Sequence, residues 1–150
     1  MHRHMVKLEQ LKNAISEYQE KYRRPSSPKL KIEPEYSLFP DASSTGENWP
    51  APYPSAGKAG VYAMLDRDRN VLYIGKVSMG NTLGSRLGNY FGFERDRQTC
   101  RIKHNWKVNP YSLLIVSTPA GMEFEAPAIE EYLITKFSKE LPENKMGTSN

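Results

Sequence analysis

Apolar residues recur along this chain with two different periods, and the switches between them divide it into elements. From Lys7 to Tyr22, Leu8, Leu11, Ile15, Tyr18 and Tyr22 follow one another at alternating steps of three and four, the pattern of an amphipathic helix, with Glu17 and Lys21 as an i,i+4 pair. A helix of that length is too short to hold a coiled coil unaided, so it either packs against its own domain or pairs with a second copy in a homodimer. The period then disappears. Seven of the eleven prolines fall between Arg23 and Gly57, mixed with Ser, Thr, Asn and Gly, which predicts an extended connecting arm with no fold of its own. Trp49 and Tyr53, set among Pro50, Pro52 and Pro54, are expected to pin the end of that arm to the domain.

From Lys58 onward the pattern becomes strand-like. Gly60 to Leu65 and Val71 to Gly75 alternate and are rich in β-formers, and the turn-prone Asp66-Arg67-Asp68-Arg69-Asn70 between them predicts a hairpin. An effective four-residue connection, Asp66 to Arg69, puts Tyr62 opposite Tyr73 on one face; a five-residue one sends the two phenols to opposite faces. Asp66, Asp68 and Asn70 also match the opening of a calcium loop, but Val71 stands where that loop needs Gly and Val77 where it needs Glu. Asn81 or Thr82 can cap a helix running to about Phe91, with Leu83, Leu87 and Phe91 as its stripe and Arg86 and Tyr90 sharing a face. Gly84 and Gly88 each cost a helix interior roughly 1 kcal/mol relative to alanine, which suggests that something approaches closely there.

Tyr111 to Ser117 is nearly continuous in apolar residues and reads as a central strand. Pro127 suits the first turn of a helix over Ala126 to Phe137. On that helix Ala126, Leu133, Ile134 and Phe137 define an apolar stripe with Glu130 at its centre, while Glu131 turns toward solvent. A carboxylate inside a buried stripe costs several kcal/mol unless it is paired, hydrogen-bonded or metal-bound. An ion pair with Arg86 or Lys76 is one resolution, and a bound cation is another.

Composition narrows the function classes. The 150 residues leave room for one domain and an appendage, and a net charge of +4 leans toward a polyanionic partner. Arg95, Arg97, Arg101, Lys103 and Lys107, interleaved with Phe93 and Trp106, form a candidate nucleic-acid grip together with Lys76; the plainer reading is a charged loop diluted by Glu94 and Asp96. Cys100 is the sole cysteine, so no intrachain disulfide forms and a reducing, cytoplasmic compartment is expected. His2, His4 and His104 make no ligand cluster with it, which argues against structural zinc. No run approaches the ~20 apolar residues of a membrane-spanning helix, so no membrane partner is expected.

Taken together, Gly60-Val61-Tyr62, Tyr73-Ile74-Gly75, Arg86 with Tyr90 four residues later, Glu130 and the late Asn144 resemble the GIY-YIG nuclease domain over about residues 58 to 144. Lys76 directly after the second tripeptide is similar to the branch typified by the N-terminal domain of bacterial excision-repair (UvrC-type) nucleases. The resemblance implies an α+β fold, a small three-stranded antiparallel sheet flanked by helices, that cuts double-stranded or branched DNA with one divalent cation, Mg2+ or alternatively Mn2+. It also implies the roles. Tyr62 activates or orients the attacking water, Tyr73 is its hydrogen-bonding neighbour, Arg86 holds the scissile phosphate, and Tyr90 is a second candidate base. Glu130 is the metal ligand and Asn144 braces the site. Two spacings depart from the pattern: the stretch from Gly75 to Arg86 carries extra residues around Ser78 to Asn81, and the interval from Glu130 to Asn144 is slightly long. The expected organisation is a helix over 1–23, a proline-rich arm over 24–57, the nuclease-like domain over 58–145 and a disordered tail over 146–150. A catalytically idle binding module with the same fold is the competing reading.

Overall fold

The computed structural model of the protein describes residues 5–40, 47–137, 140–141 and 144. The predicted tail over 146–150 and the domain end at 145 lie outside the described residues, as do His2 and His4. In chain order the elements are α1 (Leu8–Tyr22), β1 (Lys31–Ile32), β2 (Tyr36–Ser37), β3 (Gly60–Leu65), β4 (Val71–Val77), α2 (Leu83–Gly88), β5 (Phe91–Phe93), β6 (Cys100–Ile102), β7 (Ser112–Ser117), a 3-10 turn (Glu123–Glu125) and α3 (Ala126–Phe137). The class is α+β, as expected. No helix among the described residues is long and apolar enough to cross a membrane.

The main sheet is antiparallel and larger than expected. β3 lies between β4 and β7, the predicted three strands, but β1 and β2 add to the outer edge of β7 through Lys31↔Ser117, Ile32↔Val116, Tyr36↔Leu113 and Ser37↔Ser112. Between them Glu33 N–H donates to the Ile115 carbonyl (2.9 Å), and beyond them Leu38 N–H donates to that of Tyr111 (3.0 Å). The proline-rich segment is therefore not an arm standing off the domain. It supplies fourth and fifth strands because β7, apolar on both faces, would otherwise leave an open edge. β5 and β6 form a separate two-stranded ribbon where a loop was expected.

Every residue of β3 and β7 is buried because both sheet faces are covered. On one face Val61, Ala63, Ile74, Leu114 and Val116 pack beneath Leu11 and Ile15 of α1 and Ile129 and Leu133 of α3. On the other, Tyr62, Met64, Leu113 and Ile115 pack against Leu83 and Leu87 of α2 and against Tyr36, Leu38 and Trp49. Leu8, Leu11, Ile15 and Tyr18 of the α1 stripe are thus buried inside the chain while Tyr22 stays exposed, and nothing in the packing supports the homodimer. α1 is also tied to the hairpin tip, where Leu8 N–H donates to the Arg69 carbonyl (3.0 Å) and Val71 N–H to that of Val6 (2.7 Å).

A buried guanidinium closes this layer. Arg23, its side chain 2% exposed, donates from Nε to Glu125 Oε2 (2.7 Å) and from Nη1 to the Pro28 carbonyl (2.6 Å) and Gln19 Oε1 (3.1 Å). Tyr18 donates to the same Glu125 oxygen (3.0 Å), and burial together with that carboxylate pushes its phenol up to about 12. The network joins α1, the proline-rich segment and the turn that starts α3.

Both glycines at the paired tripeptides answer to close approach. A Cβ on Gly60 would strike the Val116 carbonyl and stand 2.9 Å from Ser117 Cα. A Cβ on Gly75 would strike the Tyr62 hydroxyl and stand 2.5 Å from its Cζ. Gly75→Ala is expected to lower the unfolding free energy by about 1–3 kcal/mol, because the Tyr62 ring is buried and cannot swing clear. Denaturant unfolding measures this, and an unchanged midpoint would mean that the ring does not lie over that strand. Arg23→Ala is expected to cost more, about 3–5 kcal/mol, since it strands the Glu125 carboxylate in the interior.

Candidate active site

The hairpin sets the geometry. Leu65 pairs with Val71, so five residues, Asp66 to Asn70, lie between the paired positions; Asp66 Oδ1 accepts from Asp68 N–H and Asn70 N–H, each at 2.9 Å. Such a loop alone would send the two tyrosines to opposite faces. A register shift between Met64 and Leu65 absorbs one extra residue and restores the parity. Tyr62 consequently faces Gly75 and Tyr73 faces Met64. The phenols are diagonal neighbours on one face, their ring centroids 6.2 Å apart, and not the directly opposed pair expected.

Helix α2 brings the third phenol. Thr82 caps it, its hydroxyl accepting from Ser85 N–H (3.2 Å), and it ends at Gly88, short of the expected Phe91. Tyr90 therefore sits in the turn after the helix while Phe91 begins β5. Gly84 admits the Ala56 backbone, whose carbonyl would stand 3.1 Å from an added Cβ; Gly88 meets no such neighbour. Tyr62 donates to the Tyr90 hydroxyl (3.3 Å), and the Tyr90 ring is 6.1 Å from Tyr62 and 6.5 Å from Tyr73.

Trp106, buried, packs 5.5 Å from both Tyr73 and Tyr90, and His104 lies 4.5 Å from Trp106. His104, weighed in the sequence only as a zinc ligand, was not placed beside the tyrosines because it sits in a stretch without periodicity. Trp106 belongs to this cluster and is not an exposed stacking platform, whereas Arg95, Arg97, Arg101, Lys103 and Lys107 all face solvent.

The charged residues arrive from the other side of the same strand. Lys76 pairs with Val61, so by alternation it belongs to the sheet face under α1 and α3, opposite to Tyr73. β4 is an edge strand, and Tyr73 and Lys76 project from its two opposite faces. α3 supplies Glu130. Its buried residues are Ala126, Ile129, Leu133 and Phe137, with Ile129 in the place expected for Ile134, so the stripe centre moves away from Glu130 and leaves it half-buried at the margin. Burial holds the Glu130 carboxyl above its ordinary value, while Lys76 and Arg86 pull it down and Glu131 adds to the rise.

Lys76 and Arg86 are therefore each within electrostatic reach of Glu130. None of the three side chains makes a hydrogen bond or ion pair among the described residues, so the buried ion pair entertained for Glu130 is not formed. Arg86 also acts on Tyr62, whose phenol is pushed far up by burial, by Tyr73 and by its bond to Tyr90, with Arg86 alone opposing. Tyr73 is raised by burial first, then by Tyr90 and Glu130.

Asn144 lies on the outer edge of β4. Its Oδ1 accepts from Ile74 N–H (2.9 Å) and its Nδ2 donates to the Ile74 carbonyl (3.0 Å), completing the backbone hydrogen bonding of the strand between Tyr73 and Gly75. No group of three or more His, Cys, Asp or Glu that could hold a metal ion gathers among the described residues. A lone, half-buried and unpaired carboxylate fits a cation that keeps most of its waters, as Mg2+ does. Cys100 is buried, and desolvation followed by Glu94 pushes its thiol up to about 12, so it has no part in this chemistry.

Residues 58–140 match the UvrC-like GIY-YIG domain. The chain is 37% identical over 79 residues to the UvrABC system protein C of Rickettsia canadensis (strain McKiel), 39% over 79 residues to that of Rickettsia prowazekii (strain Madrid E) and 35% over 80 residues to that of Rickettsia bellii (strain RML369-C). Each alignment covers 53% of this chain and 11% of the relative, so the chain spans about a tenth of the length of these curated relatives. No solved structure matches it. The matched segment spans both tripeptides, Arg86, Tyr90 and Glu130, and the chain belongs to the UvrC-like GIY-YIG domain family.

Proposed function

We propose that this protein is a metal-dependent DNA endonuclease or nicking enzyme that hydrolyses phosphodiester bonds at the edge of β4. The observation that carries this reading is that Lys76 and Arg86 both act on the half-buried Glu130 carboxylate, and Arg86 on the Tyr62 phenol, with no ion pair formed among the three. Two cations that act on a carboxylate without pairing with it are complementary to a phosphate and a divalent ion. A purely structural cluster would be expected to pair them.

Arg86 engages the non-bridging oxygens of the scissile phosphate and stabilises the charge that grows on them. Glu130 would hold one Mg2+ ion, or Mn2+ in its place, which when bound supplies Lewis-acid polarisation of the phosphate and charge at the leaving oxygen. Tyr62 orients the attacking water through its oxygen lone pairs. With its own proton directed to Tyr90 and its phenol held protonated by burial, it acts as an acceptor that aims the water more readily than as a preformed base. Tyr73 fixes the Tyr62 ring and Lys76 neutralises an adjacent phosphate. Asn144 keeps β4 straight beneath them. The exposed Arg95, Arg97, Arg101, Lys103 and Lys107 provide the sequence-independent grip on the DNA backbone.

Incubation with supercoiled plasmid and Mg2+ is expected to give nicked and linear products. Glu130→Gln and Arg86→Gln should each lower the rate on the order of 10²-fold or more. Cutting that persists in both Glu130→Gln and Tyr62→Phe would overturn the site, and binding without cutting by the unaltered protein would favour the idle binding module.

Stability supplies an independent check. A carboxyl whose folded value is raised is protonated in both states at low pH. As pH rises from its unfolded value of about 4.3 through its folded one, it destabilises the fold. Glu130→Gln is therefore expected to raise Tm at neutral pH in chelator and to leave it unchanged below the carboxylate range. Mg2+ should stabilise only the unaltered protein. A variant less stable at neutral pH would mean that Glu130 has a structural partner.

A further inference from the structure

Behind the turn that carries Tyr90 lies a groove of about 480 Å³, between the segment Trp49 to Tyr53 and the β5–β6 ribbon. Gly88 and Phe91 line it, so one turn of chain has the phenol cluster on one side and this groove on the other. We propose that the groove is a subsite for an unpaired nucleotide of the DNA strand, which narrows the substrate to DNA with a single-stranded or extruded base near the cut. The proposal rests on the nuclease reading for its polymer.

Three observations support it. Phe93 presents a ring that is 52% exposed, held against Trp49 with centroids 4.8 Å apart. An exposed aromatic backed by another is a stacking platform, and only a base freed from its duplex neighbours can lay a face on it. The charge is one-sided: Arg101 and Lys103 line the groove and no acidic residue does. The Arg101 side chain makes no hydrogen bond or ion pair among the described residues, and Lys103 Nζ is positioned by donating to the Gly88 carbonyl (3.0 Å). Finally, the opposite wall is preformed. Trp49 N–H donates to the Ser37 carbonyl (2.8 Å) and the Tyr36 hydroxyl to that of Ala51 (2.6 Å), which ties this wall to the sheet. Trp49 Nε1 and the Tyr53 hydroxyl are buried in this wall without hydrogen-bond partners among the described residues. Trp49 and Tyr53 precede the segment shared with the family, so this wall of the subsite is supplied by the chain's N-terminal portion.

The test is fluorescence anisotropy with labelled oligothymidylate and a duplex of equal length, in chelator so that no strand is cut. The unaltered protein should prefer the single strand. Phe93→Ala should weaken single-strand binding about tenfold while changing duplex binding little, with Phe93→Tyr restoring it. Arg101→Gln should reduce the salt dependence of single-strand binding by about one phosphate contact. A Phe93→Ala protein that binds oligothymidylate as tightly as before, or loses single strand and duplex equally, would overturn the subsite. So would concentration-dependent self-association abolished by the same change, which would give the groove to a second copy. Plasmid cutting without single-strand preference would sink the subsite and leave the nuclease reading intact. A protein that neither binds nor cuts would sink both.

Discussion

The packing of one buried phenol over one glycine organises this domain. The Tyr62 ring occupies the space that a side chain at position 75 would fill, and this fixes which residues of β3 and β4 stand opposite each other. From that register the rest follows by alternation: Tyr73 falls beside Tyr62, and Lys76 is carried to the far face, toward the helix bearing Glu130. The paired tripeptides are thus a single steric device spread over two strands. Their glycines admit a carbonyl on one side and an aromatic ring on the other.

Around that device the electrostatics divide by face. Tyr62 and Tyr73 lie in a mostly apolar layer that keeps them protonated, while the ionised groups collect around the margin of an edge strand. An edge strand ordinarily invites pairing by another chain. Here the Asn144 amide takes up the donor and acceptor of Ile74, which satisfies the strand where it is needed for positioning without covering Lys76.

Much of this was legible in the sequence because it depends on local pattern. The hairpin, α1, α3 and the core of β7 follow from periodicity, and the residue types of the site from two tripeptides and three polar positions. What escaped depends on partners distant in the chain. β1 and β2 are two-residue strands that exist only because β7 has an edge to fill, and no alternation can announce strands that short. The β5–β6 ribbon is hidden in a run of charges, and α2 stops early because its last turn yields to Tyr90 and the ribbon. The register escaped for a subtler reason: a five-residue loop and a bulge are each disruptive, and only their combination returns both phenols to one side. Glu130 was singled out on a premise only partly right, since Ile129 and not Ile134 belongs to the buried stripe.

The homologous segment begins at residue 58, yet the sheet face beneath α3 is roofed jointly by α1, and Arg23 bolts that roof to the turn from which α3 springs. Trimming this chain to its recognisable part would strip apolar surface from the hairpin and unmoor the helix that carries the acid. The evolutionary module and the cooperative folding unit are therefore different lengths of polypeptide. A graft of the shorter one into another protein would have to bring a substitute lid with it.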